Sequence, residues 1–129
     1  MKRKIPILLL IVLLAACSPQ TPFEISLNGA WEMGRLGEDT VYPAEVPGVV
    51  HLDLMKNGLI EDPFYGDNEE KLQWIGESSW LYTKTFSVGE ELLENEHVEI
   101  IFEGLDTYAQ VSLNGVKILE TDNMFRRWA

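Results

Sequence analysis

Alternation of apolar and polar positions dominates the second half of the chain. Trp80, Tyr82, Lys84, Phe86 and Val88 alternate with Leu81, Thr83, Thr85 and Ser87, the period-two pattern of a strand with one largely apolar face. A second strand is predicted over His97 to Glu103, where Val98, Ile100 and Phe102 share a side and Ile101 interrupts the other. Ala109, Val111 and Leu113 alternate up to Asn114-Gly115, and Val116, Ile118 and Glu120 alternate away from it. Asn-Gly is the strongest short hairpin signal, because both central residues of a type I′ turn need positive φ.

The first half is less regular. Ile25 to Met33, with the turn dipeptide Asn28-Gly29 running into Trp31, suits a first strand or hairpin. Val41 to Val46 reads as a short extended piece closed by a turn at Pro47-Gly48. Between Val49 and Asn57 the period changes: Val50, Leu54 and Asn57 fall on one helical stripe, Leu52 and Met55 flank it, and Gly58 stands where a C′ glycine stops a helix. Leu59 to Asn68 carries Asp62-Pro63-Phe64-Tyr65-Gly66 and reads as a loop bearing aromatics. About six short strands, glycine-rich turns and one brief helix predict an all-β antiparallel sandwich over residues 23–129. The final stretch, Thr121 to Ala129, ends on aromatic and aliphatic residues without a closing turn, so the sandwich is expected to be truncated at its C-terminal side.

The first 16 residues follow a different logic. Met1-Lys2-Arg3-Lys4 is a basic leader, and Ile5 to Ala16 is apolar apart from Pro6, too short for the about 20 residues of a spanning helix. Residues 1–16 therefore read as an export signal. The run ends Leu14-Ala15-Ala16-Cys17, similar to the bacterial lipobox, in which the cysteine thiol takes up diacylglycerol. Cys17 is the only cysteine, so an exported chain without a disulfide partner has a use for it as a lipidation site. Residues 17–22, with Pro19 and Pro22 among polar neighbours, have the composition of a tether. The expected location is the bacterial cell envelope, with the membrane reached through the lipid on Cys17.

Composition narrows the chemistry. The chain has 129 residues, 46% hydrophobic, with 10 Lys plus Arg against 21 Asp plus Glu and a formal net charge of −11, which loss of the leader cations makes more negative. Disorder, nucleic-acid binding and a disulfide-stapled scaffold are excluded. His51 and His97 lie far apart and no cysteine remains to complete a zinc site, so no metal is expected. Gly-x-Ser-x-Gly, Gly-x-Gly-x-x-Gly and Walker signatures are absent, and no cofactor is expected. Glu69-Glu70, Glu90-Glu91 and Asp62 are carboxylates, but charge runs of this kind are usually solvated. Phe64, Tyr65, Trp74 and Trp80 cluster around the loop; sugar rings stack on such faces, while the area an aromatic buries favours a role in the core.

In order along the chain these segments resemble the N-terminal domain of glycoside hydrolase family 2, within it most closely the β-mannosidases. General family signals are Leu27-Asn28-Gly29-Ala30-Trp31, Val46-Pro47-Gly48, Trp80 to Phe86, and Phe102 to Gly115. The narrower likeness lies in Val50-His51-Leu52-Asp53-Leu54, Gly58 to Tyr65, Asn68-Glu69, Gln73-Trp74-Ile75-Gly76 and Asp122-Asn123-Met124-Phe125-Arg126. Gly66-Asp67 departs from the commoner arginine-bearing form of the loop.

The resemblance implies a jelly-roll β-sandwich of the galactose-binding type, followed by immunoglobulin-like and TIM-barrel domains. It implies retaining hydrolysis of terminal, non-reducing β-D-mannose by two barrel glutamates, so no catalytic residue is expected in this chain. The Asp62 to Glu69 loop and Trp74 are expected to reach towards the barrel mouth, with Asn68, Glu69 and Trp74 as substrate-binding residues for a β-mannoside glycan. The simpler alternative is that Asn68 and Glu69 only cap and stabilise the turn into residues 69–75. Rival functions are another family 2 glycosidase, such as a β-galactosidase or β-glucuronidase, or a non-catalytic carbohydrate-binding lipoprotein.

Overall fold

The computed structural model describes residues 23–129; the leader, Cys17 and the tether lie outside the described residues. Its centre is a three-stranded antiparallel sheet in the order β2-β1-β3, formed by β1 (Gly29–Arg35), β2 (Tyr42–Val46) and β3 (Trp80–Thr83). Along β1 the side chains alternate, Ala30 and Glu32 outward, Trp31 and Met33 inward. Met33 pairs with Tyr42 on one side and Tyr82 on the other, so the middle strand buries it completely. Gly34 is required by close approach, since a Cβ there would stand 2.8 Å from the Thr40 carbonyl oxygen.

The helix α1 (Val50–Lys56) follows the Pro47-Gly48 turn and lays Leu54 onto β2, within a core of Met33, Ala44, Leu54 and Ile75. A Cβ on Gly48 would collide with the Glu45 carbonyl, so the chain can double back there only with glycine. At its other end α1 closes in a Schellman motif: the Gly58 amide donates to Met55 (2.9 Å), the Leu59 amide to Leu54 (3.0 Å), and Gly58 takes φ +69°. The helix and its glycine stop thus match the reading from periodicity.

A second sheet is the hairpin of β4 (Tyr108–Leu113) and β5 (Val116–Asp122). Asn114 and Gly115 have φ of 51° and 80°, the two positive values a type I′ turn requires. A register irregularity falls between Val111 and Ser112. Thr121, buried on β5, ties the hairpin's open end by accepting from the Ala109 amide and donating to the Thr107 carbonyl, both at 3.0 Å.

Three expectations are corrected. The strand foreseen over residues 80–88 ends at Thr83, because the Lys84 ammonium occupies the Ala30 carbonyl (2.9 Å) and lies over the Trp31 ring, taking up acceptors on β1 that a longer ladder would use. The strand foreseen over residues 97–103 reduces to one antiparallel bridge, Phe102 with Trp128, closed by two hydrogen bonds of 2.9 Å. In place of one helix the described residues form four: besides α1, α2 (Asn68–Lys71), α3 (Gln73–Gly76) and α4 (Glu90–Leu93) are single turns. Ile75 on α3 is buried in the Met33 core and Leu72, the residue between α2 and α3, packs partly buried against it, contacts that outweigh the weak intrinsic stability of such short helices. Glu90 and Glu91 sit exposed on α4.

Candidate functional site

The segment from Asp62 to Glu69 folds on its own hydrogen bonds. The Asp62 carboxylate accepts from the Phe64 amide (2.9 Å), and its carbonyl accepts from the Tyr65 amide (3.2 Å) and the Asn68 side-chain amide (2.9 Å). Asn68 is buried beneath the loop and opens α2, while its own amide donates to the Tyr65 carbonyl (3.2 Å). Proline at 63 and φ of +61° at Gly66 complete the turn. Held this way, Phe64 projects with 96% of its surface exposed, and Tyr65 is exposed beside it.

Glu69 stands on α2 at the margin of a shallow depression of about 250 Å³, shared with His51 of α1, Pro63, Leu72, Gln73 and Gly76. The Gln73 amide donates to the Glu69 carbonyl (3.0 Å), which orients the first turn of α3. Neither Asn68 nor Trp74 belongs to this lining. Trp74 is 37% exposed and rests tilted on Trp80, ring centroids 6.0 Å apart, with the Arg35 guanidinium 5.7 Å from its ring. Trp80 is fixed in turn by its indole N–H donating to the Ile75 carbonyl (3.0 Å). The aromatic cluster therefore divides: Trp80 packs against the core, Phe64 and Tyr65 face solvent, and Trp74 spans the boundary.

Beneath α1 lies a polar cluster that periodicity did not reveal. Asp53, 2% exposed, accepts from the Tyr82 hydroxyl (2.9 Å) and from the Glu45 amide (3.1 Å), binding helix to both outer strands of the sheet. Burial, and then the Asp53 carboxylate, push the Tyr82 hydroxyl well above the ordinary tyrosine range. Asn57 extends the clamp by donating to the Pro43 and Asp53 carbonyls. At the surface, Lys56 pairs with Glu45 at 2.6 Å; the hydrogen bond and charge of each partner lower the Glu45 carboxyl and raise the Lys56 ammonium. The one signal in the sequence is Asp53, a carboxylate between the apolar residues Leu52 and Leu54 of the helical segment.

A second depression, about 320 Å³, lies between residues 98–102 and the β4-β5 hairpin, and its lining is apolar apart from Glu99. Glu99 is the one polar side chain in that lining, fewer than the several convergent polar groups with which a site orients a hydroxylated ligand.

Two antiparallel sheets, with short helices packed on the larger of them, define a mostly β domain. Residues 31–129 match the family model described as glycosyl hydrolase 2 galactose-binding domain-like, and the chain belongs to that family. It is 40% identical to the β-mannosidase of Capra hircus over 126 residues, covering 95% of this chain and 14% of that protein. It is 50% identical to β-mannosidase B of Thermothelomyces thermophilus over 104 residues, covering 78% and 12% respectively. Among solved structures, β-D-mannosidase from Dictyoglomus thermophilum superposes with a TM-score of 0.79 at 49% identity, over 81% of this chain and 13% of that one. The chain thus spans about one seventh, 14%, of the length of the first of these relatives.

Proposed function

We propose that this chain is the N-terminal domain of a retaining β-mannosidase that removes terminal, non-reducing β-D-mannose from β-mannosides. The observation that carries the reading is the agreement in sequence and backbone with a β-D-mannosidase at 49% identity and a TM-score of 0.79. The bond-breaking carboxyl pair of a retaining enzyme belongs to the barrel, and this domain packs on that barrel.

In this reading the loop closed by Asp62 and Asn68 shapes part of the sugar pocket's wall. Glu69 accepts hydrogen bonds from sugar hydroxyls, Trp74 supplies a partly exposed aromatic face, and Asn68 keeps the loop in place from below. Such a set binds and orients a hydroxylated ring without itself transferring a proton. Cys17 carries a lipid that holds the enzyme at the bacterial envelope, and the acidic body stays clear of anionic headgroups.

The test is made on the full-length gene product with nitrophenyl β-mannoside, β-galactoside and β-glucuronide. Preference for the mannoside is expected, and preference for either other substrate overturns the reading. Glu69→Ala and Trp74→Ala should each raise KM for the mannoside by about tenfold, the worth of one hydrogen bond to a charged group or one stacked face. Cys17→Ser should release the protein from the membrane fraction.

A further inference from the structure

The chain contains three Asn-Gly dipeptides, Asn28-Gly29, Asn57-Gly58 and Asn114-Gly115, and the fold treats them very differently. An Asn-Gly bond is chemically labile. The glycine amide nitrogen loses its proton and attacks the asparagine Cγ; the new C–N bond closes a succinimide as the Cγ–Nδ2 bond breaks and ammonia leaves. Water then opens the ring at either carbonyl, yielding aspartate or, with the backbone rerouted through the side chain, isoaspartate. Glycine permits this because it has no side chain to hinder the ring. The rate in a folded protein depends on whether the attacking nitrogen and the leaving amide are free to meet.

At Asn57 both are engaged. The Gly58 nitrogen donates to Met55 at 2.9 Å within the Schellman closure of α1. The Asn57 side-chain amide donates to the Pro43 carbonyl at 2.8 Å and to the Asp53 carbonyl at 2.7 Å. Gly29 opens β1 opposite Val46, and the Asn28 carbonyl holds the Lys84 ammonium at 3.4 Å. Asn114 and Gly115 form the exposed two-residue tip of the β4-β5 hairpin, and neither the Asn114 side chain nor the Gly115 nitrogen takes up a hydrogen bond among the described residues.

We propose that Asn114 is the site of spontaneous succinimide formation and isoaspartate conversion in this protein, with Asn28 slower and Asn57 protected. Hairpin tips open locally at low cost, whereas reaction at Asn57 first dismantles a helix end. Conversion at Asn114 has a structural consequence, because isoaspartate adds a backbone carbon to a turn whose two-residue length sets the adjoining register, Leu113↔Val116 and Ser112↔Lys117.

The purified full-length chain is incubated in mildly alkaline buffer and sampled over time by peptide mapping, with mass spectrometry for amide-to-acid conversion and isoaspartyl methyltransferase labelling for the isomer. The Asn114 peptide should convert about 100-fold faster than the Asn57 peptide, the factor set by the three hydrogen bonds at Asn57 and Gly58 that must break first. Asn114→Gln should abolish the dominant methyltransferase signal and leave the Asn57 rate unchanged. In urea the three sites should converge towards one rate, because the ranking resides in the fold. Conversion led by Asn57 or Asn28 in the native protein, or equal rates at all three, overturns the assignment.

Discussion

The hydroxyl of Tyr82 on β3 donates to the buried carboxylate of Asp53 on α1 at 2.9 Å, joining residues 29 positions apart. Because Asp53 also accepts from the Glu45 amide on β2, one side chain unites the helix with both outer strands of the three-stranded sheet. Tyr82→Phe removes one hydrogen bond to a charged group and should lower unfolding stability by about 2 kcal/mol, read as an earlier urea midpoint with an unchanged slope. Asp53→Asn should cost more, since the carboxamide meets the two donors with only one acceptor. An unshifted midpoint in both variants would remove the clamp from the account of the fold.

The same pair sets a pH response on the alkaline side. The folded protein holds the Tyr82 proton more tightly than the unfolded chain, whose tyrosines titrate near the ordinary value of 10.0. The stability this supplies is complete below that pH and drains away as pH rises above it, because the unfolded chain then releases a proton that the fold retains. Tyr82→Phe should flatten the fall of unfolding free energy above pH 10.0. Parallel curves for the two proteins would count against it.

Leu54 fills the centre of a small core. With Met33, Ala44 and Ile75 it makes up the buried apolar set among the described residues, so truncation has few neighbours able to collapse inward. Leu54→Ala should destabilise the domain by about 3 kcal/mol, whereas exposed Leu36→Ala should leave the urea midpoint nearly unchanged. Comparable losses at both positions would place the core elsewhere.

Asn68 and Glu69 are neighbours with opposite environments, and their substitutions should separate. Asn68→Ala deletes the bond that pins the Asp62 carbonyl and should cost about 1 kcal/mol while increasing protease cleavage near Phe64. Glu69→Gln, at an exposed position, should leave stability within experimental error. Proteolysis that is equally fast in the unaltered protein would show that Asn68 does not hold the loop.

What could be read in advance was what depends on neighbours in the chain. The hairpin at Asn114-Gly115 is encoded by two residues that tolerate positive φ, and α1 by a short stripe and a glycine stop, so both appear where periodicity placed them. The stretch from Val98 to Phe102 has the same alternation as β4, yet only Phe102 pairs, because a ladder needs a partner strand that alternation does not supply. The turns α2 and α3 were hidden for the converse reason: four residues carry too little local preference to declare a helix, and contact with the core settles it.

The candidate site divides along the same line. Asp62, Pro63 and Gly66 announce a turn in the linear sequence, and the aromatic side chains are present whatever the fold does. That Asn68 is buried and Glu69 exposed, that Trp74 leans on Trp80, and that Asp53 meets Tyr82 were decided only by tertiary packing. Backbone conformation at a turn is a property of adjacent residues and their allowed dihedral angles. Burial, stacking and the partners of a buried carboxylate are properties of surfaces brought together from distant parts of the chain, and their energies exist only once those surfaces meet.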